Sequence, residues 1–139
     1  MKIMAIDYGD AHTGIAVSDA LLTLAGFTTV ITAYRPEAVA AEIQRLIAEH
    51  GVTELVLGHP LNMDGTRGPR AEKAEGFAAL LRETTGLPVT LWDERRTTVD
   101  AHNILIAGGK NGKKRKKTVD AVAASLMLEG YLTFKKRQK

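Results

Sequence analysis

The chain opens on an apolar run, Ile3-Met4-Ala5-Ile6, that stops at Asp7 and gives way to Tyr8-Gly9 and, five residues later, Gly14. Short apolar runs bounded by turn residues mark buried strands, so this run is expected as a core strand and Ile15-Ala16-Val17 as its hairpin partner. Phe27-Thr28-Thr29-Val30-Ile31 is rich in β-branched residues and reads as a third strand after a turn over residues 20–26. Val39, Ile43, Leu46 and Ile47 recur at helical spacing over residues 37–50, with Pro36 at the entrance and Gly51 at the exit. Leu55-Val56-Leu57-Gly58 is a fully apolar strand running into turn chemistry at residues 59–66. A second amphipathic helix over residues 69–84 puts Ala74, Phe77, Leu80 and Leu81 on one face, with Gly86 as its stop.

The pattern then gives one more strand, Val89-Thr90-Leu91-Trp92, which leads into Asp93-Glu94-Arg95-Arg96. Thr97 and Thr98 are candidate caps for a helix reaching residue 107, with Ala101, Ile104 and Leu105 inward. A loop over residues 108–117 separates it from a last helix over residues 118–134, expected to bury Val119, Ala123, Leu126, Met127 and Leu132. Three strands followed by alternating helices and strands imply an α/β fold. Its sheet is mixed and has helices on both faces, because each crossover between parallel strands lies over the sheet.

At 139 residues and 15.0 kDa, with no internal repeat or linker, the chain is expected as a single domain over residues 1–134 with a basic tail over 135–139. There are no cysteines, hence no disulfide framework and no thiolate chemistry; no apolar run approaches a bilayer span and no signal pattern precedes the first strand. A cytoplasmic protein without a membrane partner is the expectation.

Charge changes the picture. The formal net charge is +3, yet residues 108–139 alone carry +8 and the preceding residues −5. A lopsided basic end gathers polyanions, since neutralising phosphates releases counterions. For Lys110, Lys113, Lys114, Arg115, Lys116 and Lys117, placed between two helices, nucleic acid is the expected partner. Lys135, Lys136, Arg137 and Lys139 are expected in a solvated tail.

Candidate chemistry lies in three carboxylates at element ends: Asp7 leaving the first strand, Glu94 (beside Asp93) leaving the last, and Asp120 opening the final helix. In open α/β sheets ligands gather at strand ends. Carboxylates that converge there repel unless a cation sits among them, and Mg²⁺ or Mn²⁺ suits oxygen ligands and substrate phosphates. Two such ions about 3.5–4 Å apart activate a water and stabilise a leaving oxygen. Each acid has a plain alternative: a turn hydrogen bond for Asp7, a surface ion pair with Arg95 or Arg96 for Glu94, and a helix-dipole contact for Asp120. Asp93 and Glu94 would point to opposite faces of a continuing strand, so one of them faces any shared site.

The motifs MAIDYGDAHTGIAVSD, ELVLGHPLNMDGTRGPRA, LWDERRTT and TVDAVAASLMLEGYL occur in this order and together span almost the whole chain. In them the chain resembles the YqgF family, also called RuvX, of Holliday-junction-resolvase-like proteins with an RNase H-like fold. The resemblance implies a five-stranded mixed sheet, Asp7, Glu94 and Asp120 as a metal-binding acidic triad, and hydrolysis of nucleic acid phosphodiesters. The role it suggests is processing of the 5′ end of precursor ribosomal RNA of the small subunit; branched DNA is the rival substrate, and a monomer or weak homodimer is expected. One departure stands out: where family members commonly carry Lys-Arg-Ile-Gly, this chain has Ala11-His12-Thr13-Gly14.

Within the same motifs, Asn62 and Thr66 could hydrogen-bond phosphates from their loop or simply build a turn. Arg67, Arg70, Arg95 and Arg96 could grip phosphates bidentately or form surface salt bridges. Two other readings stay open: a nucleic-acid-binding module without turnover, and a nucleotide-binding protein, because Asp-x-Gly also opens sugar-kinase-like folds. The latter need two such domains to enclose ATP.

Overall fold

The computed structural model describes residues 2–22, 25–96 and 112–137, with the backbone alone at Arg96 and over 112–120. Five strands form one sheet: β1 (Lys2–Asp7), β2 (His12–Ser18), β3 (Ala25–Thr32), β4 (Val52–His59) and β5 (Val89–Asp93). The helices are α1 (Pro36–His50), α2 (Pro69–Thr85) and α3 (Gly112–Arg137), and a 3-10 turn, Glu94–Arg96, follows β5. The strand order is β3-β2-β1-β4-β5. The first three strands are antiparallel neighbours, whereas β4 and β5 run parallel to β1. This is the expected mixed α/β sheet.

Strand alternation splits the core in two. Met4 and Ile6 of β1, with Leu55 and Leu57 of β4, meet Val39, Ile43, Phe77 and Leu81 of α1 and α2 on one face. Ile3 and Ala5, with Val56 and Trp92, meet Ala124, Met127, Leu128 and Tyr131 of α3 on the other. The central strands β1 and β4 are therefore buried on both faces, which is why Ile3–Ile6 and Leu55–Leu57 read as unbroken apolar runs, whereas β5 at the edge leaves Thr90 exposed.

The helix stops behave as the sequence suggests. Pro36 and Pro69 open α1 and α2, while Gly51 and Gly86, with φ of 72° and 71°, end them in the left-handed region that favours glycine. Between β1 and β2 the chain turns so tightly that a Cβ on Gly9 would stand 2.4 Å from the carbonyl oxygen of His12. A side chain there is impossible without opening the hairpin.

Three expectations about the C-terminal part are corrected. Residues 112–117 are helical, not loop: α3 begins at Gly112. Lysine and arginine are good helix formers, and nothing in Lys113-Lys114-Arg115-Lys116-Lys117 stops a helix. Asp120 is consequently about two turns inside α3 rather than in its first turn, beyond the range of the helix-terminus charge that could have explained it. At the other end, Lys135 is not in a solvated tail, because α3 continues to Arg137 and the Lys135 ammonium pairs with Glu54 at 2.7 Å. The inward face of α3 is also shifted: Ala124, Leu128 and Tyr131 are buried, while Ala123 and Leu126 are half-buried. The helix expected over residues 97–107, and Lys110, lie outside the described residues.

Candidate active site

Asp7 is the last residue of β1 and shares the α3 face of the sheet with Ile3 and Ala5. Its cross-strand partner on β2 is Gly14. On the other side β4 runs parallel in the register Ile6↔Leu57, so the residue following Leu57, Gly58, stands beside Asp7. Asp7 is thus flanked by two residues without side chains. β5 pairs Trp92 with Gly58, and the chain then tightens into the 3-10 turn that begins with Glu94.

β1 and β5 are two strand spacings apart, roughly 9.6 Å, so carboxyls from their ends meet only by crossing β4. Gly58 makes that crossing open. A Cβ built on it would stand 2.3 Å from Oε1 of Glu94 and 3.0 Å from its Cδ. The Glu94 side chain therefore lies over the bare backbone of β4 and reaches Asp7, with which it hydrogen-bonds. Burial, then the negative charge of Glu94 and that hydrogen bond, push the Asp7 carboxyl from 3.8 up to about 7, against the opposing charge of Arg70. Two carboxyls that share a proton in the absence of a cation offer only oxygen donors and more negative charge than the fold neutralises. Such a donor set fits a hard divalent ion.

Asp93 and Glu94 separate as alternation suggests. Asp93 turns toward Arg95, accepting from its Nη2 at 2.7 Å and its Nε at 3.0 Å, and from the Arg95 backbone N–H at 2.9 Å. These bonds close the turn that aims Glu94 back across the sheet. Arg95 also donates from Nη1 to the Met63 carbonyl at 3.2 Å, tying the exit of β5 to the loop after β4. In that loop Asn62 donates to Thr66 Oγ1 at 2.9 Å, and Thr66 donates from its backbone N–H to Asp64 Oδ1 at 3.0 Å and from its hydroxyl at 2.6 Å. Asn62, Thr66 and Arg95 are thus one hydrogen-bonded loop and its brace at the edge of the site.

The neighbouring turn is anchored to α2. Tyr8 stacks on Phe77 with ring centroids 3.9 Å apart and planes 6° from parallel, and Asp10 pairs with Lys73. Between this turn, Pro60, Glu94 and the start of α2 lies a cleft of about 240 Å³ that Arg70 and Lys73 also line. His59 is bonded to Glu75 at 2.7 Å, and Arg67 pairs with the same Glu75. His12 Nδ1 stands 3.3 Å from Thr32 Oγ1 across the β2–β3 pair.

The structure thus brings Asp7 and Glu94 together. Among the described residues no group of three His, Cys, Asp or Glu side chains gathers to hold a metal ion. The backbone of Asp120 is on α3, the helix that covers the same sheet face, and its side chain lies outside the described residues, as do those of Lys113, Lys114, Arg115, Lys116 and Lys117. Sequence reasoning missed Gly58 and the cleft. A glycine closing an otherwise fully apolar strand was the available sign of the first; the second has no local signal.

Comparison with known proteins agrees with this architecture. The model of a family described as RuvX: Holliday junction resolvase matches residues 1–134. A relative from Carboxydothermus hydrogenoformans, named "Putative pre-16S rRNA nuclease", is 44% identical over 137 residues, covering 99% of both chains. One of the same name from Geobacillus kaustophilus is 45% identical over 138 residues, covering 98% of this chain and all of that one. Among solved structures, Thermus thermophilus RuvC in complex with a Holliday junction substrate superposes with a TM-score of 0.63 at 15% identity, covering 97% of this chain and 96% of that one. A ROK family protein from Streptococcus pneumoniae shares the fold more distantly, at a TM-score of 0.51 and 17% identity, and the match covers 76% of this chain but 37% of that one. This chain thus matches only part of that larger protein. Whole-length identity and the family match together assign the chain to the RuvX family, on an RNase H-like fold.

Proposed function

We propose that the chain is a divalent-metal-dependent nuclease that hydrolyses phosphodiester bonds, acting in maturation of the 5′ end of precursor 16S ribosomal RNA. The observation that carries this reading is the meeting of Asp7 and Glu94 across the bare backbone of Gly58. The names of relatives 44–45% identical over nearly the whole chain support the RNA substrate.

In this reading Asp7 and Glu94, with Asp120 from α3, hold Mg²⁺ or Mn²⁺. The bound ion would supply a water of lowered pKa and neutralise charge developing on the phosphoryl oxygens. The protein's own contribution is rigidity. Asp7 projects, largely buried, from a central strand, while Glu94 is aimed by a turn that Asp93 and Arg95 hydrogen-bond closed. Because such groups are fixed before the substrate arrives, little reorganisation accompanies the reaction. Lys110, Lys113, Lys114, Arg115, Lys116 and Lys117 contribute the sequence-independent attraction for the nucleic acid backbone. Asn62, Thr66 and Arg95 border its path.

Branched DNA is the second reading, favoured by the family's description as a Holliday junction resolvase. One experiment tests both: labelled ribosomal precursor RNA and a four-way DNA junction, each incubated with the protein in Mg²⁺, Mn²⁺ or EDTA. Cleavage of the RNA that requires the ion and vanishes in a folded Asp7→Asn variant is the expected result. Unchanged cleavage in that variant overturns the site assignment, and cutting of the junction alone transfers the activity to DNA.

A further inference from the structure

Several cations stand around the cleft beside the acid pair, and their pairing separates them. Lys73 pairs with Asp10, Arg67 with Glu75, and Arg95 with Asp93 and the Met63 carbonyl. Arg70 is different. It lines the cleft together with Tyr8, Gly9 and Glu94, it is exposed, and among the described residues no carboxylate stands within ion-pair distance of it. It is nonetheless close enough for its charge to act on the Asp7 carboxyl.

An arginine held beside two carboxylates yet, among the described residues, ion-paired with neither has its fork available for something else. Its planar fork matches the two non-bridging oxygens of a phosphodiester, which accept two parallel N–H bonds. The surroundings favour the same occupant. Arg70 is the second residue of α2, whose N-terminus carries no side-chain cap, so that end of the helix adds partial positive charge on the same side of the cleft. Asp10, the other carboxylate on this wall, is already neutralised by Lys73. The cleft thus has a net cationic wall on α2 facing Glu94, whose carboxyl reaches Asp7 behind it.

We propose that Arg70 grips a backbone phosphate of single-stranded RNA within this cleft, fixing the strand so that the neighbouring phosphodiester lies over Asp7 and Glu94. This deepens the nuclease reading and rests on it for the identity of the strand. Arg70 contacts substrate on the α2 side of the cleft.

Fluorescence anisotropy of a labelled single-stranded ribosomal precursor RNA fragment, titrated in EDTA over a range of salt, measures the contact without requiring turnover. Arg70→Ala should weaken binding by about tenfold or more and make the slope of log K against log salt shallower by about 0.7, the value for one lost phosphate on a single strand. Arg70→Lys should keep the slope but not the affinity, since it retains the charge without the fork. Arg67→Ala, a neighbour already paired, should leave the slope unchanged. Equal slopes for Arg70→Ala and the unaltered chain, or no RNA binding by the unaltered chain, overturn the inference. Parallel cleavage assays in Mg²⁺ and Mn²⁺ separate it from the reading it rests on. Cleavage with equal binding slopes removes Arg70 and keeps the nuclease, whereas the expected slopes without cleavage keep Arg70 and remove the nuclease.

Discussion

Oε1 of Glu94 occupies the space over Gly58 that a Cβ would fill: the two would be 2.3 Å apart. The contact is with the far end of a flexible side chain rather than with backbone, so a methyl group there is tolerated by the sheet and not by the site.

Gly58→Ala should therefore fold normally, with an unfolding transition close to that of the unaltered protein, and lose its nuclease activity. Displacing a catalytic group by about 1 Å costs on the order of 10²-fold, and a drop of that size in kcat/KM at unchanged stability is expected. Full activity in a folded Gly58→Ala variant would show that Glu94 does not need to cross β4.

The pH dependence of stability follows from Asp7, whose carboxyl is pushed from 3.8 up to about 7, first by burial and then by Glu94. A carboxyl raised by folding holds its proton more tightly in the native state than in the unfolded one. Its contribution is therefore complete below the unfolded value, near 3.8, and is lost as pH climbs through about 7. In EDTA the unaltered protein should lose stability relative to Asp7→Asn between pH 4 and pH 8, by an amount on the order of a few kcal/mol. Mg²⁺ or Mn²⁺ at pH 8 should restore stability to the unaltered chain and leave Asp7→Asn unaffected, because only the former offers the paired carboxylates. Thermal melts of both proteins, with and without the ion, check this; parallel pH profiles in EDTA would refute it.

Glu75 titrates in the opposite sense. The Arg67 guanidinium and then His59 hold its carboxyl down from 4.5 to about 2. That stabilisation is present above pH 4.5 and disappears as pH falls toward 2. Glu75→Gln should lower the melting temperature at pH 6, with a deficit that shrinks steadily on acidification. A deficit independent of pH would point to lost packing instead.

At the far end of the parallel strands from Asp7, the Tyr131 hydroxyl donates to Glu54, which also receives Lys135 at 2.7 Å. Tyr131→Phe should cost about 1.5–3 kcal/mol in urea unfolding, the range for a hydrogen bond to a charged group. Cleavage should be unchanged, since this clasp holds the end of α3 and not the acid pair. A large loss of activity with unchanged stability would contradict that division.

The parallel strands and the first two helices were legible because their signals are local. An apolar run such as Leu55-Val56-Leu57 between a polar residue and a turn, or Val39, Ile43 and Leu46 closed by Gly51, reports its own structure wherever it sits. The start of α3 was misread for the same reason in reverse. Lysines suggest a solvent-exposed segment but do not say whether it is coiled or helical, so Gly112 to Lys117 looked like loop. Asp7 and Glu94 were visible as carboxylates at element ends. Their meeting has no local signal, since 87 positions of chain separate them.

What the amino-acid order determined by itself was the class of fold, the points where strands stop, and the presence of acids and bases at those points. Hydrophobic period and turn chemistry act over a few residues and need no partner to be read. The tertiary structure decided which of those groups face one another. Strand order put β4 between β1 and β5, and the absence of one methyl group at Gly58 allowed two carboxyls to touch across it. Pairing with Glu75 and Asp93 occupied Arg67 and Arg95 and, among the described residues, left Arg70 without an ion pair. Those outcomes depend on distances between residues remote in the chain, which only folding creates.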